Sequence, residues 1–168
     1  ISILLPYKEN FTKNNAGAVS LFVNDVTKES IYKKTTRIFG NTNYKKYLSK
    51  NYVNLIIKKN FFLSTSKQYV ENFLNYEKKI KSTLIEVHNR PNYIKIIKKE
   101  YKKKIFLYFH NDPLSMSGSK LVNERINLLI NVDRIIFNSE WCRKRFFIDL
   151  HDQNNFFEKT AICFQSSS

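Results

Sequence analysis

The chain has 168 residues, of which 42% are hydrophobic and 15% aromatic, and carries a formal net charge of +15. That size suits one domain, 1–168, and the composition excludes disorder over most of it. Two cysteines, Cys142 and Cys163, with no CxxC exclude a zinc knuckle and a redox pair, and no apolar run approaches the roughly 20 residues of a membrane span.

"ISILLP" (Ile1–Pro6) reads as a short buried strand, followed by the polar loop "YKENFTKNNAG". Between Ala16 and Glu29, apolar residues at Ala18, Val19, Phe22, Val23 and Val26 give helical spacing. "KTTRIFG" (Lys34–Gly40) reads as a strand, so the opening is a βαβ unit. "VNLIIKK" and "FFLST" both resemble strands, at most one of them central. Tyr69, Val70, Phe73, Leu74 and Tyr76 predict a helix over Gln68–Ile80. "STLIEVH" is a strand, "PNYIKIIKKEY" a helix opened by proline, and "KIFLYFH" a strand again. Lys120–Asn131 is helical. "VDRIIFN" is a strand, Ser139 caps the helix "EWCRKRFFIDL", and "KTAICF" is a last strand. Helices alternate with strands that are continuous apolar runs. This predicts an α/β, Rossmann-like three-layer sandwich with a mostly parallel sheet.

In such sheets ligands bind beyond the carboxyl ends of the strands. Four features fall there: the Lys13–Gly17 loop, His88-Asn89-Arg90, His110-Asn111-Asp112 and Asn138-Ser139-Glu140. Gly17 opens the first helix and suits either a phosphate approach or a plain tight turn. "NNAGA" is neither a dinucleotide fingerprint nor a P-loop. His110 can hydrogen-bond a ligand hydroxyl or serve as acid or base. His88, in the twin phrase "LIEVHNRP", ranks below it, and His151 reads as surface. Arg143, Lys144 and Arg145 form a basic cluster that is more simply a solvated face, and no GxSxG supports a serine nucleophile.

A basic chain can bind nucleic acid, anionic lipid or phosphorylated ligands. Lys, Asn, Ile, Phe and Tyr are all abundant, however, and their AT-rich codons supply lysine without selection for binding. The aromatics lie in apolar runs and are not interleaved with glycine and arginine, unlike a single-strand platform. The chain starts at Ile1 without methionine and stops at "FQSSS", as expected of a piece of a longer protein. A reducing cytosol is the default compartment.

The order of a glycine loop, "VHNRP", "FLYFHNDP" and "VDRIIFNSEWCRKRF" resembles the N-terminal domain of GT-B glycosyltransferases of the family 4 type, over Ile1 to about Phe147. The resemblance implies transfer of a sugar from a nucleotide-sugar to a glycan or lipid-linked acceptor, with retention and without a bound metal or other cofactor. It implies a partner C-terminal domain in the same chain that holds the nucleotide. His110 would stand beside the donor sugar as the catalytic residue. Gly17, Ser139 and Glu140 would face the donor or its phosphates; Asn15, His88, Arg90 and Asp112 would lie toward the acceptor. The setting would be cytoplasmic, with peripheral contact at the inner face of the membrane as an option. Two departures stand out: the first loop has one glycine, and no second domain follows, so the isolated chain should be inactive. The alternatives are a basic nucleic-acid-binding module and another nucleotide-binding Rossmann-like domain.

Overall fold

The computed structural model describes residues 1–57, 62–150 and 154–165. Three expectations, the start of "FFLST", the lysines of "VNLIIKK" at 58–59 and the surface placing of His151, lie outside the described residues. Strands are β1 Ser2–Leu4, β2 Arg37–Gly40, β3 Tyr52–Asn54, β4 Leu84–His88, β5 Lys104–Phe109, β6 Arg134–Phe137 and β7 Thr160–Ile162. Helices are α1 Ala18–Glu29, α2 Thr65–Ile80, α3 Ile94–Glu100, α4 Val122–Asn131, α5 Glu140–Phe147 and α6 Asn154–Phe157. The strands form one sheet in the order β3-β2-β1-β4-β5-β6-β7. Pairing is parallel from β3 through β1 and from β5 through β7. This is the expected α/β, Rossmann-like fold.

By their contacts the residues form two compact units, Ile1–Ile85 and Glu86–Ser168. In the first unit, Ile38 and Phe39 are neighbours on β2, so they point to opposite faces of the sheet. Ile38 packs with Ile3, Leu5 and the α1 residues Val19 and Val23. Phe39 meets Phe73 of α2 edge-on at 5.0 Å. Thus α1 and α2 cover opposite faces, and this is why consecutive strand residues can all be apolar. Ser64 caps α2 by accepting from the Lys67 N–H at 3.3 Å. Near its far end, the buried Glu77 carboxylate accepts from the Ser2 hydroxyl and, at 3.2 Å, from the Ser82 N–H. Such a buried carboxylate is tolerated because its oxygens are filled.

In the second unit, Phe109 and Phe137 are register partners on β5 and β6, with ring centroids 5.6 Å apart. Phe146 of α5 closes the triangle at 5.7 and 5.4 Å. The buried Arg125 of α4 donates to the Lys120 carbonyl at 2.7 Å and the Ile148 carbonyl at 2.6 Å, pinning the loop before α4 to the end of α5. In that loop Gly118 has φ +95, and a Cβ there would stand 2.6 Å from the Asn92 backbone nitrogen. Gly118→Ala should therefore cost about 1–3 kcal/mol, read from the urea midpoint. An unchanged midpoint would show that the close approach is not needed.

Candidate active site at the ends of strands β4, β5 and β6

β4 ends on His88, and β5 ends one residue before His110. Asn89 turns the chain in the left-handed region at φ 50, a conformation asparagine tolerates better than most residues. Its Oδ1 accepts from the His110 N–H at 2.7 Å. From β6, the Asn138 side-chain amide donates to the His110 carbonyl at 2.7 Å. The backbone of His110 is thus held by an asparagine from either neighbouring strand end. The first His-Asn phrase supplies an anchor for the histidine of the second.

The two imidazoles touch. His88 Nδ1 and His110 Nε2 lie 2.8 Å apart, so one donates and the other accepts. The rings stack at 5.1 Å, and Tyr108 stacks on His88 at 4.5 Å. Glu86 Oε2 lies 3.9 Å from His88 Nε2. On the open side, the side-chain amide of Gln165, an exposed residue just after β7, meets His110 Nδ1. With that amide N–H as donor, His110 carries its proton on Nε2 and gives it to His88 Nδ1. The proton of His88 then sits on Nε2, toward Glu86.

Burial, followed by the charge of His88, pushes the pKa of His110 down to about 3. The ring is therefore neutral near pH 7 and suits a hydrogen bond to a ligand hydroxyl. The other role expected for it, acid or base near neutral pH, does not fit this environment. His88 is only 1% exposed. It stands behind His110 as a support, not on a separate acceptor surface.

The remaining expected residues divide. Ser139 is the cap of α5, accepting from the Cys142 N–H at 3.2 Å, and its hydroxyl donates to Asn138 Oδ1 at 3.3 Å. Glu140 is exposed and forms a two-pronged pair with Arg143, with a shortest distance of 2.7 Å. Asp112 caps the turn after His110 by accepting from the Leu114 N–H at 3.0 Å. It also pairs with Arg145 at 3.0 Å, and that hydrogen-bonded guanidinium holds its carboxyl below the usual range. Two of the three cations in the α5 cluster are thus paired inside the fold. Arg90 turns back onto the Asn89 carbonyl at 2.8 Å. Cys142 donates its S–H to the Asn111 carbonyl at 3.0 Å, and burial pushes its thiol up to about 11.

Asn15 and Gly17 belong to the first unit. Asn15 is exposed. Gly17 precedes α1, and a Cβ there would stand 2.3 Å from Glu9 Oε1. That same oxygen accepts from the Ser20 N–H at 3.2 Å. A carboxylate of the chain itself thus satisfies the helix N-terminus where the sequence suggested a phosphate. Sequence reasoning missed Glu9, Glu86, Tyr108 and Gln165. The repeated His-Asn phrase and the shared edge of a parallel sheet hinted that the strand ends at 88 and 110 work together.

No family model and no curated protein matches the sequence. Solved structures do match in fold. Sucrose-phosphate synthase from Thermosynechococcus elongatus is similar at TM-score 0.66 and 12% identity, covering 99% of this chain and 48% of that one. Anabaena HepE, solved in complex with UDP-glucose, is similar at TM-score 0.63 and 12% identity, covering 99% and 44%. A second, shorter chain of the sucrose-phosphate synthase is similar at TM-score 0.61 and 11% identity, covering 100% and 91%. The chain spans about half of the first two proteins. These likenesses give it the Rossmann-like fold of one half of the GT-B architecture, the fold that its motifs led us to expect.

Proposed function

We propose that this chain is the N-terminal half of a retaining GT-B glycosyltransferase. It would move a sugar from a nucleotide-sugar to a glycan or lipid-linked acceptor, with the nucleotide held by a C-terminal domain of the same protein. The observation that carries the reading is His110: a neutral imidazole at a strand's carboxyl end, its backbone gripped by Asn89 and Asn138. A neutral ring with one fixed donor and one fixed acceptor suits a sugar hydroxyl better than a charged group. The Gln165 amide occupies the nitrogen such a hydroxyl would meet. The likeness in fold to a protein solved with UDP-glucose supports a nucleotide-sugar as donor. The reading carries with it a metal-free reaction and a cytoplasmic setting, with Ser139, Glu140, Arg90 and Asp112 around the cleft. Gly17 can meet a donor phosphate only if the Glu9 carboxylate moves aside.

The test is transfer by the full-length protein against a panel of nucleotide-sugars, wild type beside His110→Ala. Loss of one preorganised hydrogen-bonding group should lower kcat about 10²–10³-fold. Transfer unchanged within a factor of a few would remove His110 from the reaction. Residues 1–168 alone should turn over no nucleotide-sugar.

A further inference from the structure

A second concavity lies in the unit Glu86–Ser168, bounded by α3, α4 and the loop holding Gly118. Its volume is about 650 Å³, within the range of roughly 300–1,000 Å³ typical of small-molecule sites. Neither His88 nor His110 lines it, nor does any other residue that holds their rings.

Its chemistry is distinctive. Lys95, Lys98, Lys99 and Lys102 line one side; the first three are spaced so that they fall on one face of α3, and Lys102 follows its end. Like charges at that spacing weaken a helix. Lys102 is turned onto the Lys98 carbonyl at 3.1 Å, and among the described residues Lys95, Lys98 and Lys99 have no carboxylate partner. Among the described residues the one carboxylate in the lining, Glu124, is held by the Leu121 N–H at 3.1 Å. Asn92 also lines the groove, and its Oδ1 is buried with no hydrogen-bond partner among the described residues. Gly118 packs directly on the Asn92 backbone. A buried acceptor left open calls for a donor from elsewhere.

The lining also excludes partners. Among the described residues it holds no aromatic side chain, so bases have nothing to stack on. Its apolar residues Pro91, Ile94 and Leu128 are buried, leaving no hydrophobic side chain to enter a bilayer. We propose that this groove binds a soluble phosphorylated sugar, its phosphate on the Lys95–Lys99 face and a hydroxyl donating to Asn92 Oδ1 once that side chain turns into the groove.

Calorimetric titration of the full chain with glucose 6-phosphate, inorganic phosphate and glucose tests this. Glucose 6-phosphate should bind more tightly than phosphate, and glucose should not bind. The triple change Lys95→Gln, Lys98→Gln, Lys99→Gln should weaken glucose 6-phosphate at least about tenfold, a loss that grows as salt is lowered. Asn92→Ala should erase the preference over phosphate. The proposal fails if glucose 6-phosphate does not bind at low salt. It also fails if Lys45→Gln, Lys46→Gln, Lys79→Gln weakens binding as much, since bulk charge would then explain it. Binding to vesicles containing phosphatidylinositol 4-phosphate, without binding to the soluble ester, would assign the groove to a lipid headgroup and overturn the soluble ligand.

Discussion

Phe137→Ala should lower stability by about 3–5 kcal/mol, the largest loss expected from any single truncation in the second unit. The ring is fully buried at the end of β6. It stacks on Phe109 at 5.6 Å with an interplanar angle of 10°, and it meets Phe146 at 5.4 Å. Truncation removes apolar area and also leaves a hole that Phe109 and Phe146 cannot fill, since both are fixed by strand register and helix packing. Phe137→Leu should cost less, because it keeps most of the volume. Urea unfolding at neutral pH measures both. A loss under about 1 kcal/mol for alanine would mean that the aromatic triangle is not the core of this unit. The site would suffer too, since Asn138, which grips His110, is the next residue.

The second large effect is a loss of stability in mild acid. His110 has its pKa pushed down from 6.5 to about 3 by burial and by the charge of His88. When the chain unfolds, the ring regains an ordinary pKa. Between those values the unfolded state binds a proton that the folded state refuses, so stability falls as pH drops below 6.5. The slope is about 1.4 kcal/mol per pH unit, or about 3 kcal/mol by pH 4.5. Above pH 6.5 neither state is charged at this ring and the effect is absent. Asp112, whose carboxyl is lowered, loses its own stabilising pair only as pH falls below the ordinary carboxylate range. The window between pH 6.5 and 4.5 therefore lies above the Asp112 loss. His110→Gln should flatten the stability profile there relative to wild type. Parallel profiles would mean that the ring is not held neutral by its surroundings.

The architecture was legible in the sequence because parallel strands covered on both faces read as unbroken apolar runs, and "LIEVH" and "KIFLYF" became β4 and β5 nearly as expected. β3 shows the limit. The run "VNLIIKK" looked like a strand, yet the strand ends at Asn54, with a last bond from the Leu55 N–H to the Gly40 carbonyl at 2.7 Å. Its partner β2 ends at Gly40, and Asn54 then bonds Thr42 through its side chain, accepting at 2.9 Å and donating at 3.0 Å. Ile56 is left 76% exposed. Strand length was set by a neighbour, which periodicity cannot see.

The site was half legible for a similar reason. Strand ends carrying His-Asn twice pointed to one edge, but the hydrogen bond between His88 and His110 joins residues 22 apart in the chain. It depends on register between strands, and so does the grip of Asn89 on His110. Gly17 was legible as a place of close approach. What approaches in this structure is Glu9, eight positions earlier in a loop whose path the sequence does not define. Ser139 was expected both as a cap and as a residue facing the donor, and its hydroxyl is engaged in capping.

The central claim is that His110 meets the donor sugar. Its most direct measurement is a titration of the full-length protein, labelled with ¹⁵N-histidine, with the nucleotide-sugar that supports transfer. A sugar hydroxyl taking the place of the Gln165 amide should move the His110 Nδ1 resonance and shift its Nε2 partner on His88 less. Saturating donor that leaves both His110 ring nitrogens where they were would contradict the account.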